Sequence, residues 1–207
     1  MTRCSPCLDR EEYILVCGTK ARRKRGMVLK KKINVFDYAG DIMKALDKGV
    51  LITTKADGKV DSMTLGWGTL GIDWSLPVFT AYIRKSRFTK EQLEKNPEFT
   101  VNVPYGAFDP KILGVCGSKS GRDMDKAEEL GLTLVDPEVI SVPAVKELPL
   151  TLECRVVCVE KQDTDTMPEE ILKEHYPSEK PTPFGGSLEN YHYAFYGQIV
   201  SAYMIED

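Results

Sequence analysis

Apolar positions along the chain recur with two different periods, and the switches between them mark the elements. Phe36, Ala39, Met43 and Leu46 recur at helical spacing, so residues 35 to 48 read as an amphipathic helix stopped by Gly49. The period then drops to two. VLITTK and KVDSMTLG flank Asp57-Gly58, a pair that favours a two-residue hairpin loop. With that loop, Val50 faces Leu65, Ile52 faces Met63 and Thr53 faces Ser62. One face of the hairpin is then aliphatic, and the other carries the hydroxyls of Thr53, Ser62 and Thr64.

Gly66, Gly68 and Gly71 follow, interleaved with Trp67. Glycines inside a strand fit either a ligand close to the backbone or a barrel corner. Pro77 opens the strand VFTAYIR, and Asn96-Pro97 ends a helix ahead of FTVNV. Residues 109 to 131 read as two short helices around the loop CGSKSGRD, the second closed by Gly131. LTLECRVVCVE and YHYAFYGQIVSAYMI are later strands, with one short helix and a Pro- and Gly-rich surface loop between Met167 and Gly186. Five to seven strands with short helical connections and no repeat predict a mainly β fold, a barrel with peripheral helices.

Composition narrows the function classes. A chain of 207 residues is most simply one domain that needs no disulfide or metal to hold its core. A net charge of -3 argues against a nucleic-acid partner. The absence of a bilayer-length apolar run and of a secretory signal predicts a cytoplasmic, non-membrane protein. In that setting Cys4, Cys7, Cys17, Cys116, Cys154 and Cys158 are expected to be free thiols. Residues 1 to 32 read as an extra basic, cysteine-containing tail and 33 to 207 as the globular domain. The tail's CxxC invites a metal, but the first histidine is His175 and structural zinc wants four ligands, so no metal is expected. Translation starting at Met27 is an open alternative, because Arg22-Arg23 could be encoded by the ribosome-binding sequence AGGAGG; sequencing the mature N-terminus decides it.

The turn Arg84-Lys85-Ser86-Arg87-Phe88-Thr89 carries the strongest chemical signal. Thr89 to Gln92 fits a capping box with Phe88 and Leu93 as its staple, which starts a helix at Lys90. A helix N-terminus disfavours nearby cations, yet Arg84, Lys85, Arg87 and Lys90 crowd this one. A phosphate would satisfy the N–H groups, the hydroxyls of Ser86 and Thr89 and the cations together; the alternative is that these long side chains point into solvent. A second hydroxyl-rich basic loop, Ser118 to Lys126, also leads into a helix, and a capped surface helix explains it as well. His192 sits in an aromatic run, where a histidine is commonly a packed edge residue. Cys116 has no nearby His or Asp partner, and no Ser-His-Asp order, HExxH, Walker loop or GxGxxG occurs.

Taken together, MTLGWG after a DG hairpin, RKSRFT, FTVNVP, SGRDMDK, LPLTLEC and a final HxxxYGQI resemble the flavin reductase-like, FMN-binding split-barrel family, and its flavoredoxin-type branch most. The resemblance covers about residues 33 to 205 and excludes the first 26. It implies a homodimer of split β-barrels with FMN bound near the interface, reduced by NADH or NADPH or by a redox protein partner. It implies ring or ribityl contacts at Asp61, Met63, Thr64 and Trp67, with Ser62 and Gly68 on the same stretch. Arg84, Ser86, Arg87 and Thr89 fall where the phosphate is held. Ser120, Gly121, Arg122 and Lys126 of the second loop, and His192, complete the candidate cofactor set. No catalytic side chain beyond the flavin is implied, His192 being the one candidate. Relatives commonly have Asn where this chain has Asp61, whose carboxylate would oppose charge on a reduced ring unless it points away. Three readings stay open: a reductase, an electron carrier without nicotinamide activity, and a binding or sensing protein without redox turnover, at which Asp61 alone hints.

Overall fold

A computed structural model describes residues 28 to 177 and 189 to 206, so the readings on Cys4, Cys7, Cys17 and the Met27 start lie outside the described residues. Strand β1 (Leu29–Lys32) is followed by a 3-10 turn, Val35–Tyr38, in which Asn34 accepts the Phe36 N–H at 3.2 Å. Helix α1 (Ala39–Lys48) then ends at Gly49, as expected. Leu46 is buried as expected, together with Ile42 and, in the 3-10 turn, Val35, while Phe36 and Met43 are 45% and 43% exposed. Phe36 misses the stripe because it lies in a 3-10 turn, which advances three residues per turn, and within α1 Ile42 takes the inward place expected of Met43.

The hairpin forms in the expected register. β2 (Val50–Ala56) and β3 (Lys59–Leu65) pair with Val50 opposite Leu65, Ile52 opposite Met63 and Thr53 opposite Ser62. Asp57 and Gly58 take φ of 50° and 78°, the left-handed pair a tight hairpin turn requires. The Thr53 and Ser62 hydroxyls share a hydrogen bond of 2.8 Å. β2 is buried on both faces: Val50 and Ile52 enter the main core, and Leu51 packs with Ile112, Cys116, Val145 and Leu148.

The remaining elements are β4 (Gly68–Asp73), β5 (Leu76–Arg84), α2 (Phe88–Lys95), β6 (Glu98–Val103), α3 (Lys111–Ser118) and α4 (Lys126–Glu129). After them come a short ribbon of β7 (Leu134–Val135) and β8 (Ala144–Val145), then β9 (Leu150–Lys161), α5 (Glu169–His175) and β10 (His192–Glu206). One antiparallel sheet runs β3-β2-β6-β9-β10-β5-β4. β10 organises it, pairing with β9 along one side and with β5 and then β1 along the other. The outer strands β3 and β4 do not pair with each other, so the expected barrel is corrected to an open, mainly β sheet with peripheral helices.

β10 can lie this close to its neighbours because it carries a glycine at the crowded point. A Cβ on Gly197 would sit 2.4 Å from the Phe99 ring and 2.9 Å from Cys154 Cβ, next to a register shift between β10 and β9. β9 in turn brings Glu153 into the interior. Its carboxylate accepts the backbone N–H groups of Glu138, Val139 and Ile140 and the Tyr203 hydroxyl, at 2.6 to 3.2 Å. That fastens the segment between the two ribbon strands to the sheet.

Candidate functional site

The turn after β5 and the loop after α3 meet at one cavity. α2 starts two residues before the expected Lys90, with Arg87 as N-cap and no side chain capping it. The capping box is replaced by core hydrogen bonds: Gln92 accepts from Thr54 Oγ1 at 2.5 Å and donates to the Lys59 carbonyl at 3.1 Å. The helix N-terminus therefore keeps first-turn N–H groups without a side-chain cap. Beside it lies a cavity of ≈ 140 Å³, lined from the first turn by Ser86, Arg87, Phe88 and Thr89 and from the second loop by Lys119, Ser120, Gly121, Arg122 and Lys126. Arg122 clamps the two loops together. It donates to the Ser86 carbonyl at 3.2 and 3.3 Å, pairs with Glu91 and lies over the Phe88 ring.

Arg87 donates to the Gly117 carbonyl at 3.4 Å, and among the described residues no carboxylate pairs with it. Burial lowers its pKa, yet a guanidinium stays protonated in a protein. A half-buried cation without a counter-ion is costly, and an anion in this cavity would remove that cost through charge-assisted hydrogen bonds. Lys90 does not join the cluster. It pairs with Glu94 at 2.5 Å and lies over the Tyr193 ring.

At the floor of the cavity Lys126 and Asp61 form a buried ion pair of 3.0 Å, and Lys126 also donates to the Ser62 carbonyl at 2.7 Å. Burial raises the Asp61 pKa, against the opposing pull of Lys126. Gly121 is required here, since a Cβ at that position would sit 2.2 Å from Asp61 Oδ1. The Asp61 charge is thus spent on Lys126.

A second cavity, ≈ 300 Å³, shares Met63 and Arg87 with the first and is lined by Thr64, Leu65, Gly66, Trp67, Tyr82, Arg84 and His192. It is aromatic where the first is cationic. The Trp67 and His192 rings lie 4.5 Å apart at 34°, and His175 meets Trp67 edge-on at 5.0 Å. Arg84 donates to the carbonyls of Asn190 and His175, holding the end of α5 beside the Trp67 ring. Burial, and then Arg84, Arg87 and His175, push the His192 pKa down to about 3, so the imidazole is neutral at pH 7.

Of the residues singled out in the sequence, Asp61, Met63, Ser86, Arg87, Thr89, Ser120, Gly121, Arg122 and Lys126 line the cationic cavity. Met63, Thr64, Trp67, Arg84, Arg87 and His192 line the aromatic one. Arg84 is therefore moved from the anion end to the aromatic end. Ser62 and Gly68 line neither; the Ser62 hydroxyl is taken by Thr53. Sequence reasoning missed Lys119, Tyr82, His175 and Tyr176. Tyr176, placed by sequence in a surface segment, is 3% exposed and 2.5 Å from His192 Nδ1. Nothing in the local pattern marks it, because it follows the end of α5 and its partner lies on β10.

Comparison with known proteins gives these cavities a context. Residues 43–207 match the flavin reductase like domain. An uncharacterized protein of Archaeoglobus fulgidus is 36% identical over 99 residues, 48% of this chain, and the chain spans about half of that relative, 55%. Flavoredoxin from Methanosarcina acetivorans superposes with a TM-score of 0.55 at 24% identity, over 91% of this chain and 76% of its own. The NADH:FAD oxidoreductase of Streptomyces globisporus, solved with NAD and FAD fragments, gives 0.54 at 17% identity over 76% of each chain. The family match over most of the described residues settles the matter: the chain belongs to the flavin reductase-like domain family.

Proposed function

We propose that this protein is an FMN-dependent oxidoreductase that takes hydride from NADH or NADPH. The carrying observation is that a cationic cavity at an uncapped helix N-terminus runs into an aromatic cavity, with Met63 and Arg87 common to both. That is the donor set for a phosphate joined to a flat ring, and the family and the flavoredoxin likeness support a flavin. When bound, the flavin supplies the two-electron chemistry, and the protein supplies position and electrostatics.

Ser86, Thr89, Arg87 and the N–H groups of α2 would hold the phosphate, with Lys119 and Arg122 closing over it. Met63, Trp67 and Tyr82 would flank the ring. Asp61 keeps the positive charge of Lys126 from acting unopposed there. Anaerobic mixing of the FMN-loaded protein with each nicotinamide tests the activity. Fast loss of the visible flavin band with NADH or NADPH is the expected result. A band inert to both but bleached by dithionite would replace the reductase with an electron carrier, the reading the flavoredoxin likeness favours.

A homodimer is also proposed. Its support is the exposed apolar surface of Phe36, Met43, Ile72 and Trp74. A monomer in light scattering would refute it.

A further inference from the structure

The His192 imidazole makes a single hydrogen bond in the described structure, through Nδ1 to the Tyr176 hydroxyl at 2.5 Å. The direction of that bond follows from its neighbour. The Tyr176 hydroxyl has one hydrogen and two neighbours, Gln162 Oε1 at 3.3 Å, which can only accept, and His192 Nδ1 at 2.5 Å, which accepts or donates according to its tautomer, so both contacts are hydrogen bonds only if that hydrogen goes to Gln162. Gln162 is itself fixed beside the imidazole, because its backbone N–H donates to the His192 carbonyl at 3.0 Å. With the hydroxyl hydrogen given to Gln162, the short contact to His192 needs the proton on Nδ1. The other ring nitrogen, Nε2, is then bare. No buried side-chain nitrogen or oxygen among the described residues lacks a partner, so the unbonded Nε2 must reach open space, and the space His192 lines is the aromatic cavity.

We propose that Tyr176 is a positioning residue: with Gln162 it locks His192 in the Nδ1–H tautomer, so that the aromatic cavity presents a bare Nε2 as a hydrogen-bond acceptor. The surroundings favour this arrangement. Burial together with Arg84, Arg87 and His175 resists a second proton on the ring, and Trp67 at 4.5 Å fixes its tilt. The chemical consequence is selectivity. A planar ligand carrying an N–H or O–H donor at that edge is accepted, and an isostere with a carbonyl there meets lone pair against lone pair. This consequence rests on the ring site proposed above; the tautomer does not.

The experiment is nitrogen NMR of the imidazoles in the full chain without added flavin. The chain has two histidines, so a His175→Gln sample assigns both. In the wild type, His192 is expected to show a protonated Nδ1 and an unprotonated Nε2. Tyr176→Phe removes the acceptor of Nδ1–H, and the single tautomer should give way to a mixture. Gln162→Leu frees the Tyr176 hydroxyl to donate to Nδ1, and the tautomer should invert to Nε2–H. A merely structural contact would not produce these two different outcomes. The proposal is overturned by a wild-type Nε2–H tautomer, a result that needs no variant to fold, or by folded variants with unchanged His192 signals. FMN titration of the same samples separates the two claims. The stated tautomer without FMN binding would sink the flavin reading and leave this one standing.

Discussion

At the scale of single residues, the site is defined by charges that the fold leaves unpaired or neutral at a cost. Arg87 is the clearest case, with burial, two adjoining cavities and no carboxylate partner among the described residues. Arg87→Ala should weaken FMN binding about 10- to 100-fold, the worth of a charge-assisted hydrogen bond of roughly 1.5–3 kcal/mol, while leaving the circular dichroism spectrum unchanged. His192 gives a pH signature. Its folded pKa of about 3 lies below the ordinary 6.5, so the unfolded chain binds the extra proton first. The stabilising contribution is complete above pH 6.5 and is lost as pH falls from there toward 3. Between pH 7 and pH 5 the wild type should lose about 2 kcal/mol more stability than His192→Gln, measured by urea unfolding. Asp61, raised by burial, acts in the opposite sense in both proteins and cancels from that comparison.

Among the elements, what was legible from sequence is what local chemistry decides. The Asp57-Gly58 loop fixed the register of β2 and β3 because the turn type and the alternation agree. The start of α2 was not legible, because Thr54 and Lys59, distant in sequence, take the Gln92 side chain that a capping box would use. The stripe of α1 was legible in part: Leu46 is buried as expected, Phe36 is displaced by the 3-10 turn, and Ile42 takes the inward place expected of Met43. Tyr176 and His175 were hidden because α5 has no buried stripe of its own and is placed by Arg84 and Trp67. The elements also carry two stability predictions. Glu153→Ala leaves three backbone N–H groups without their acceptor and should cost about 3 kcal/mol, with faster amide exchange confined to Glu138, Val139 and Ile140. Gly197→Ala forces a methyl group into Phe99 and should cost roughly 1–3 kcal/mol in chemical denaturation.

For the whole molecule, the open sheet brings two loops more than 30 residues apart in sequence, around Arg87 and Arg122, to one cavity, and the far end of β10 sets His192 beside Trp67 at the next. The two basic loops were each visible in the sequence, and each had a surface explanation, the favoured one for the second loop. Their convergence is a tertiary fact, and it removes that explanation for Arg87 and Lys126, while Lys90 is taken by Glu94 and only Lys85 of the first turn's cations stays exposed. On the proposed function, the joined cavities are one FMN site. Titration of the apo protein with FMN, followed by flavin fluorescence, tests it most directly. A single site should give saturable quenching with one FMN per chain and a large loss of affinity in Arg87→Ala. No quenching by the wild type, or equal affinity in a folded Arg87→Ala protein, would contradict it.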